Sequence, residues 1–291
     1  MGYLLSLLPQ SLLWVGCLGS IFMIGVPHGA TDIYLLWSDS GKDIKKCLFL
    51  LLSYIGCVLL ALAVWRTSPV GFWFLFFIAA IYHFGASDEH PEVLSSILPS
   101  PFSQLVWVFS RGLILVFAPA AFHADKIQNY LKQVTSIEFA TSFIAVAPIF
   151  VGYGLVFYLI ASLICLGRAT PKVYRLLILK HLLSLLIMVM LFCVCDPLVG
   201  FCLYFCCHHS LTHLFRVMNK IAIRKSRLLI VGFLFTVPVI PIWIWGVSQM
   251  GGGLVPEKMV GACFVAVAAL TFPHLLVVQK LHLKLKRHFQ K

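Results

Sequence analysis

Three short segments of this chain place histidines inside stretches that are otherwise apolar. They read Pro-His-Gly-Ala-Thr-Asp at 27–32, His-Phe-Gly at 83–85 and Cys-Cys-His-His-Ser-Leu-Thr-His at 206–213. An ionisable side chain at membrane depth is costly, and it usually marks a functional site. Imidazole is the commonest metal ligand, and it binds in the neutral form that a low-dielectric interior favours. The three segments therefore predict a metal centre inside a membrane-embedded bundle.

The spacing in the third segment favours one shared ion. His209 and His213 are four residues apart, which on an α-helix is ~40° around the axis and ~6 Å along it. Both imidazoles could reach one metal from that face. His208 points ~100° away from its neighbour, so we do not expect it to be a ligand.

The first segment should depart from regular helix. Pro27 has no N–H to donate and its ring clashes with the preceding turn, so a kink or local opening is expected. Gly25 and Gly29 have the small-xxx-small spacing that permits close helix approach. Asp32 follows His28 by one turn, where it could accept the second ring N–H and fix the tautomer.

Two further positions extend the candidate site. Asp88 follows His83 and could orient it, although a carboxylate there also suits the wet end of a span. His274 follows Pro273 and could be a metal ligand, a hydrogen-bond donor that supports the ligands without touching the metal, or a helix-packing residue. Of these we favour the supporting donor.

Four neutral imidazoles without a carboxylate favour a transition metal over Mg²⁺ or Ca²⁺. Open coordination positions fit Fe²⁺ and O₂ better than a closed zinc site. The expected ligands are His28, His83, His209 and His213.

The composition is that of a membrane protein. Hydrophobic residues make up 61% of the chain, charged residues only 11%, and the mean hydropathy is +0.98. A soluble domain has roughly a quarter charged residues, and a membrane-spanning helix needs about 20 mostly apolar ones. We therefore predict an all-α, polytopic helical bundle that forms one catalytic domain over residues 1–291. Its nine spans are expected near 10–34, 46–65, 69–86, 103–122, 141–165, 175–195, 198–216, 227–246 and 258–280.

The net charge of +12 is distributed as in a membrane protein, which argues against nucleic-acid binding. With loops on alternate sides, one side holds seventeen Lys and Arg, in segments 42–46, 168–180, 216–227 and 280–291. The other side holds Arg66, Lys126, Lys132 and Lys258. The positive-inside rule then predicts an outside N-terminus and a cytoplasmic C-terminus, in a multi-pass plasma or inner membrane protein. This orientation places the candidate histidines of alternate spans at similar depth.

Two other features narrow the class. The N-terminus lacks the basic n-region of a cleavable signal peptide, so we expect none. The ten cysteines lie mostly within spans, where cysteine behaves as a small hydrophobe, so no disulfide framework is expected. Cys206 and Cys207 beside two histidines leave thiolate ligation as a minor alternative.

The histidine motifs, together with Pro273-His274, resemble those of the Brp/Blh family of β-carotene 15,15′-dioxygenases. The resemblance extends from the first span to the ninth. It implies an integral membrane, non-haem iron enzyme that cleaves the central double bond of β-carotene with O₂ to give two retinal molecules. It also implies four histidine ligands, which correspond to His28, His83, His209 and His213. Substrate would reach the site from the bilayer, and a retinal-binding opsin is a candidate partner downstream. Aromatic residues beside the motifs are candidate walls of a substrate tunnel: Tyr82, Phe84, Tyr204 and Phe205.

Three alternatives remain open on sequence grounds. A membrane di-iron desaturase or hydroxylase would act on a lipid, but such enzymes carry more numerous histidine boxes. A carotenoid- or retinal-handling protein would bind pigment without iron or O₂. A transporter could use intramembrane histidines as a proton relay, but no inverted halves are visible.

Overall fold

The computed structural model describes residues 10–41, 43–87, 98, 100–168, 172–221 and 225–289. Within these ranges the chain forms helices and no strand. The α-helices are Gln10–Ser20, Thr31–Asp39, Ile44–Thr67, Pro69–Ser87, Pro101–Phe122, Ala124–Val134, Ile137–Arg168, Lys172–Val194, Pro197–Cys202, Leu211–Ile221, Lys225–Thr236, Val239–Gln249 and Val255–Phe289. Ile21–Gly25 and Leu203–Ser210 are π-helical, and Val26–Ala30 is a 3₁₀-helix.

Nine helical stretches in the described part of the chain are long and apolar enough to cross a membrane. They are Ser11–Trp37, Ile44–Thr67, Pro69–Ser87, Pro101–Phe122, Ile137–Arg168, Tyr174–Val194, Pro197–Arg216, Ile230–Gln249 and Val255–Lys280, here called the first to ninth spans. The predicted count and positions of the nine spans are thereby confirmed. All ten cysteines lie within the described ranges, and none of them is joined in a disulfide bond.

The ends of the spans follow elementary helix chemistry. Asp43 caps the second span, where its carboxylate accepts hydrogen bonds from the backbone N–H groups of Lys45 and Lys46 at 2.8 and 3.3 Å. Asp196 caps the seventh span in the same way, accepting from Leu198 N–H at 3.0 Å. Side-chain oxygens at this position satisfy helix N–H groups that would otherwise have no partner.

The ninth span lies at the centre of the bundle and the second span at its edge. In an 18-residue apolar stretch of each, 61% of the ninth is buried but only 17% of the second. Large apolar side chains on the outer helices are correspondingly exposed, among them Leu163, Phe49 and Phe74. A continuous outward apolar surface suits a lipid environment, because water would make it an aggregation site.

The third and fourth spans pack backbone to backbone. A Cβ atom on Gly85 would collide with the carbonyl of Val108, and one on Gly112 would collide with the carbonyl of Ile81. Small residues permit such close approach between membrane helices. This packing fixes the depth and direction of the segment that carries His83.

A short amphipathic helix, Ala124–Val134, connects the fourth and fifth spans and is fastened at several points. Trp65 and Trp73 both donate their indole N–H to the carbonyl of Val134, at 2.9 and 3.0 Å. At its other end, Lys126 forms an ion pair with Asp196 at 2.7 Å. The connecting helix is therefore held as a fixed wall across one end of the bundle.

Candidate metal centre

The first span changes its winding at the histidine. It runs as α-helix to Ser20, as π-helix over Ile21–Gly25 and as 3₁₀-helix over Val26–Ala30 before returning to α-helix. The expected irregularity at Pro27 is therefore present as a change of winding. Gly25 packs closely, since its Cβ would come within 2.9 Å of Phe205 Cδ1. Gly29 does not match the small-xxx-small expectation, because a Cβ there would meet nothing within 4 Å.

The seventh span is also irregular at its histidines. Leu203–Ser210 is π-helical and returns to α-helix at Leu211. His209 is the next-to-last residue of the π-helical part, and His213 lies in the α-helical turn that follows. π-helical turns are rare in proteins and occur frequently at functional sites.

Five histidine rings from four spans form one buried cluster. The ring centroids of His28 lie 4.9, 5.4 and 5.7 Å from those of His274, His209 and His213. His83 lies 5.0 Å from His209 and 5.2 Å from His274. All five side chains are at most 8% exposed. The structure thus brings together the four histidines predicted from sequence, and adds His274 as an equal neighbour.

Three of these histidines are close enough to share an ion. His28, His83 and His274 each offer a ring nitrogen, and the three nitrogens lie within 4.8 Å of one another. Three nitrogens that bind one ion at ~2.1 Å lie roughly 3–4 Å apart, so the observed spacing is compatible with a shared ion if the rings draw closer around it. The buried Nε2 atoms of His28 and His274 have no hydrogen-bond partner within the described ranges. Deeply buried ring nitrogens without a hydrogen-bond partner are suited to binding a metal ion.

Asp32 orients His274 and not His28. Its carboxylate accepts from His274 Nδ1 at 2.8 and 3.0 Å and from the hydroxyl of Tyr54 at 3.1 Å. The expected pairing of Asp32 with His28 assumed α-helical winding of ~100° per residue. The 3₁₀ segment turns ~120° per residue, which carries Asp32 away from the direction of His28. With Nδ1–H bound to a carboxylate, His274 presents Nε2 in its unprotonated form, as in carboxylate–histidine–metal triads.

Two of the remaining histidines are oriented by hydroxyls and backbone. The Thr31 hydroxyl donates to the carbonyl of His28 at 2.8 Å, so it can only accept from His213 Nε2 at 3.4 Å. That leaves Nδ1 of His213 as its unprotonated nitrogen. His28 Nδ1 contacts the carbonyl of Gly25 and lies 3.3 Å from Ser210 Oγ. Each contact fixes the tautomer of a ring that points into the cluster.

A cavity of about 60 Å³ adjoins the cluster. His28, His83 and His274 form part of its lining, and the rest is largely apolar and aromatic, including Phe84 and Phe205. The ring of Phe205 stacks on that of His209 at 5.8 Å and 14°. We call this space the histidine cavity.

A second, larger cavity of about 120 Å³ lies towards the connecting helix, and we call it the apolar chamber. Phe84 and Val267 line both cavities, so the two spaces are adjacent and share these two residues as part of their walls. Sequence reasoning did not find the chamber. The available signal was a set of small residues within apolar segments, whose side chains leave the space open: Ala80, Ala120 and Gly261.

The expected tunnel residues, His208 and Asp88 differ in their position relative to the two cavities and the histidine cluster. Phe84 lines both cavities, Tyr204 the chamber and Phe205 the histidine cavity, whereas Tyr82 lines neither and contacts Phe109. His208 points away from the cluster and stacks against Tyr204, with ring centroids 6.0 Å apart. Asp88 lies outside the described residues.

A helical membrane bundle with a buried polyhistidine centre beside an apolar cavity defines a class of protein suited to metal chemistry on a lipophilic molecule. The comparisons with known proteins narrow that class. Residues 19–282 match the family model of beta-carotene 15,15′-dioxygenase, so the chain belongs to that family and is an oxygenase. A curated relative from an uncultured marine bacterium, 66A03, is named beta-carotene 15,15′-dioxygenase. It is 27% identical over 279 residues, which cover 90% of this chain and 91% of the relative. No solved structure matches the chain.

Proposed function

We propose that this protein cleaves β-carotene, or a closely related carotenoid, at the central 15,15′ double bond with O₂ to give two molecules of retinal. The observation that carries the proposal is the buried five-histidine cluster beside two adjacent cavities with largely apolar linings, in a chain of this family. The reaction balances as one C=C bond and one O₂ converted into two aldehyde C=O groups. No outside reductant is required.

We propose Fe²⁺ as the cofactor, held by the four histidines expected from sequence: His28, His83, His209 and His213. His274 would act as an additional ligand, because its ring nitrogen lies within 4.8 Å of those of His28 and His83. The donor set is all imidazole, which suits a transition metal. Bound Fe²⁺ would supply the redox chemistry that O₂ needs to react with a polyene.

The protein's own residues would orient the histidines, exclude water and position the substrate. Asp32, Thr31 and Gly25 hold histidine tautomers so that unprotonated nitrogens face the centre. Phe84 and Phe205 exclude water and confine the polyene beside the histidines. Such positioning is the protein's main contribution when a cofactor performs the difficult chemistry.

The decisive experiment is expression in cells that accumulate β-carotene, followed by measurement of retinal. Retinal should form in air and not under anaerobic conditions, and the purified protein should contain about one iron per chain. Two irons per chain would favour the di-iron desaturase or hydroxylase. Bound carotenoid without retinal or iron would favour a pigment-handling protein.

For topology we propose an outside N-terminus and a cytoplasmic C-terminus in the cell membrane, on the Lys and Arg bias. Reporter fusions after Lys225 and at the C-terminus should report cytoplasm, and a fusion near Lys132 should report the opposite side. A C-terminus that reports outside would overturn this orientation. Retinal released into the bilayer could then reach an opsin in the same membrane.

A further inference from the structure

The apolar chamber is a built space and not a chance gap between helices. Six parts of the chain converge on it: the third, fourth, fifth, seventh and ninth spans and the connecting helix. The connecting helix closes one end with Ile127, Tyr130, Leu131 and Val134. That helix is fastened by two tryptophan donors and an ion pair, so the end wall is fixed.

The chamber suits a hydrocarbon group. None of its lining residues is charged, and its only hydroxyl-bearing residues are Tyr130 and Tyr204. Burial raises the pKa of Tyr130 to about 12, so that phenol is neutral at physiological pH. Apolar walls of this kind hold a hydrocarbon group by shape and van der Waals contact, without orienting hydrogen bonds.

The chamber shares two wall residues with the histidine cavity, and this places it next to the proposed site of cleavage. Phe84 belongs to both linings and its ring also contacts His209, with centroids 5.0 Å apart. Val267 of the ninth span is the second residue that lines both cavities. A long molecule whose middle lies at the histidines would therefore extend past these two side chains into the chamber.

We propose that the apolar chamber receives one terminal ring of the substrate, and that Phe84 and Val267 form the neck through which the polyene passes to the histidine cavity. This inference rests on the proposed carotenoid cleavage and adds the site of one substrate end. The fixed end wall then limits the length and bulk of that end. Ala80 and Ala120 are specificity-determining residues, because their small side chains leave the chamber open; each is only 1% exposed.

The test fills the chamber and compares two ligands. Ala80→Leu adds bulk to the chamber, and Ala145→Leu adds the same bulk on the exposed face of the fifth span as a control. The first ligand is β-carotene, with two full ends. The second is an apocarotenal shortened at one end, measured as a competitor of β-carotene so that the result does not require its cleavage.

In Ala80→Leu, kcat/KM for β-carotene should fall about 10-fold or more, since a filled cavity forces neighbouring side chains to move. The inhibition constant of the shortened ligand should change less than about 2-fold, because its short end fits the reduced chamber. Iron content should match the unmodified protein, and Ala145→Leu should change neither value. If Ala80→Leu loses iron, Ala80→Val adds less bulk and replaces it.

Equal losses for both ligands with iron retained would overturn the assignment of the chamber, as would an unchanged kcat/KM for β-carotene. Either result would leave the proposed function intact. Failure of the proposed function is distinct, because the unmodified protein would then form no retinal from β-carotene at all.

Discussion

The histidine cavity and the apolar chamber share Phe84 and Val267, but they are built from opposite materials. The histidine cavity collects ionisable side chains, and both spans that contribute residues 28 and 209 abandon α-helical winding there. The chamber collects aromatic and aliphatic side chains, mostly from regular helices. Buried imidazoles need partners and exact directions, whereas apolar groups need only space. We therefore expect changes at the first cavity to alter metal and chemistry, and changes at the second to alter substrate choice.

The largest expected effect separates two neighbours in the histidine cavity. His209→Ala should abolish retinal formation and remove most bound iron, a loss beyond the ~10–100-fold range of changes behind the ligands. His208→Ala is the matched control, because that side chain stacks on Tyr204 away from the cluster, and it should keep most of the iron. Metal analysis of both purified variants decides this. Iron lost from the His208 variant and retained in the His209 variant would reverse the assigned helix face.

The second-largest expected effect concerns Asp32, which accepts a hydrogen bond from the proposed ligand His274. Asp32→Asn should reduce iron affinity or activity by about 10–100-fold, because the amide no longer fixes the Nδ1–H tautomer of His274 as a carboxylate does. Tyr54→Phe removes only one hydrogen bond to that carboxylate and should have a smaller effect in the same direction. In a His274→Ala background, Asp32→Asn should add little further loss. Full additivity of the two substitutions would show that Asp32 does not act through His274.

The third-largest expected effect is a loss of stability where the third and fourth spans pack together, which should disturb both cavities. Gly85→Ala places a methyl group against the Val108 carbonyl and should destabilise the protein by about 1–3 kcal/mol. Gly56→Ala is the matched control on the second span, where a Cβ meets nothing within 4 Å. That change should be neutral or stabilise by about 0.5–1 kcal/mol, since alanine favours helix over glycine. Thermal unfolding in detergent measures both; equal midpoints would contradict the close packing of the third and fourth spans.

The smallest effect concerns the end wall of the chamber. Trp73→Phe removes one of two donors to the Val134 carbonyl and should cost about 0.5–1.5 kcal/mol of stability, with iron unchanged. Trp65→Phe should behave alike. The double variant should lose more than the sum, because the buried carbonyl then has neither indole donor. Strict additivity in unfolding measurements would mean that the two tryptophans contribute only by packing.

The spans were predictable because bilayer thickness fixes the length of an apolar run, and each expected span lies within a few residues of an observed one. The four expected histidines meet in one cluster. The sequence indicated that alternate spans carry them at similar depth, but which spans are neighbours depends on the packing of the bundle.

What could not be predicted depends on contacts between distant residues. Asp32 and His274 are 242 positions apart, and the winding that turns Asp32 towards His274 comes from local packing around Pro27. The chamber was equally hidden, since no single segment encloses it. Its shape follows from six segments whose side chains leave space between them.

The π-helical stretch Leu203–Ser210 is a place where a change in chain length could alter substrate preference during evolution. Leu198 and Phe201, before it, line the chamber, and His209 and His213, at and beyond its end, belong to the histidine cluster. Deleting one residue between them would restore ordinary α-helix and rotate the earlier part by ~100° relative to the later part. The loss of a single codon at this point would thus redirect the chamber wall while leaving the ligand residues themselves in the chain. Descendants of such an event would keep the chemistry and acquire a different preference for the end of the molecule they cleave.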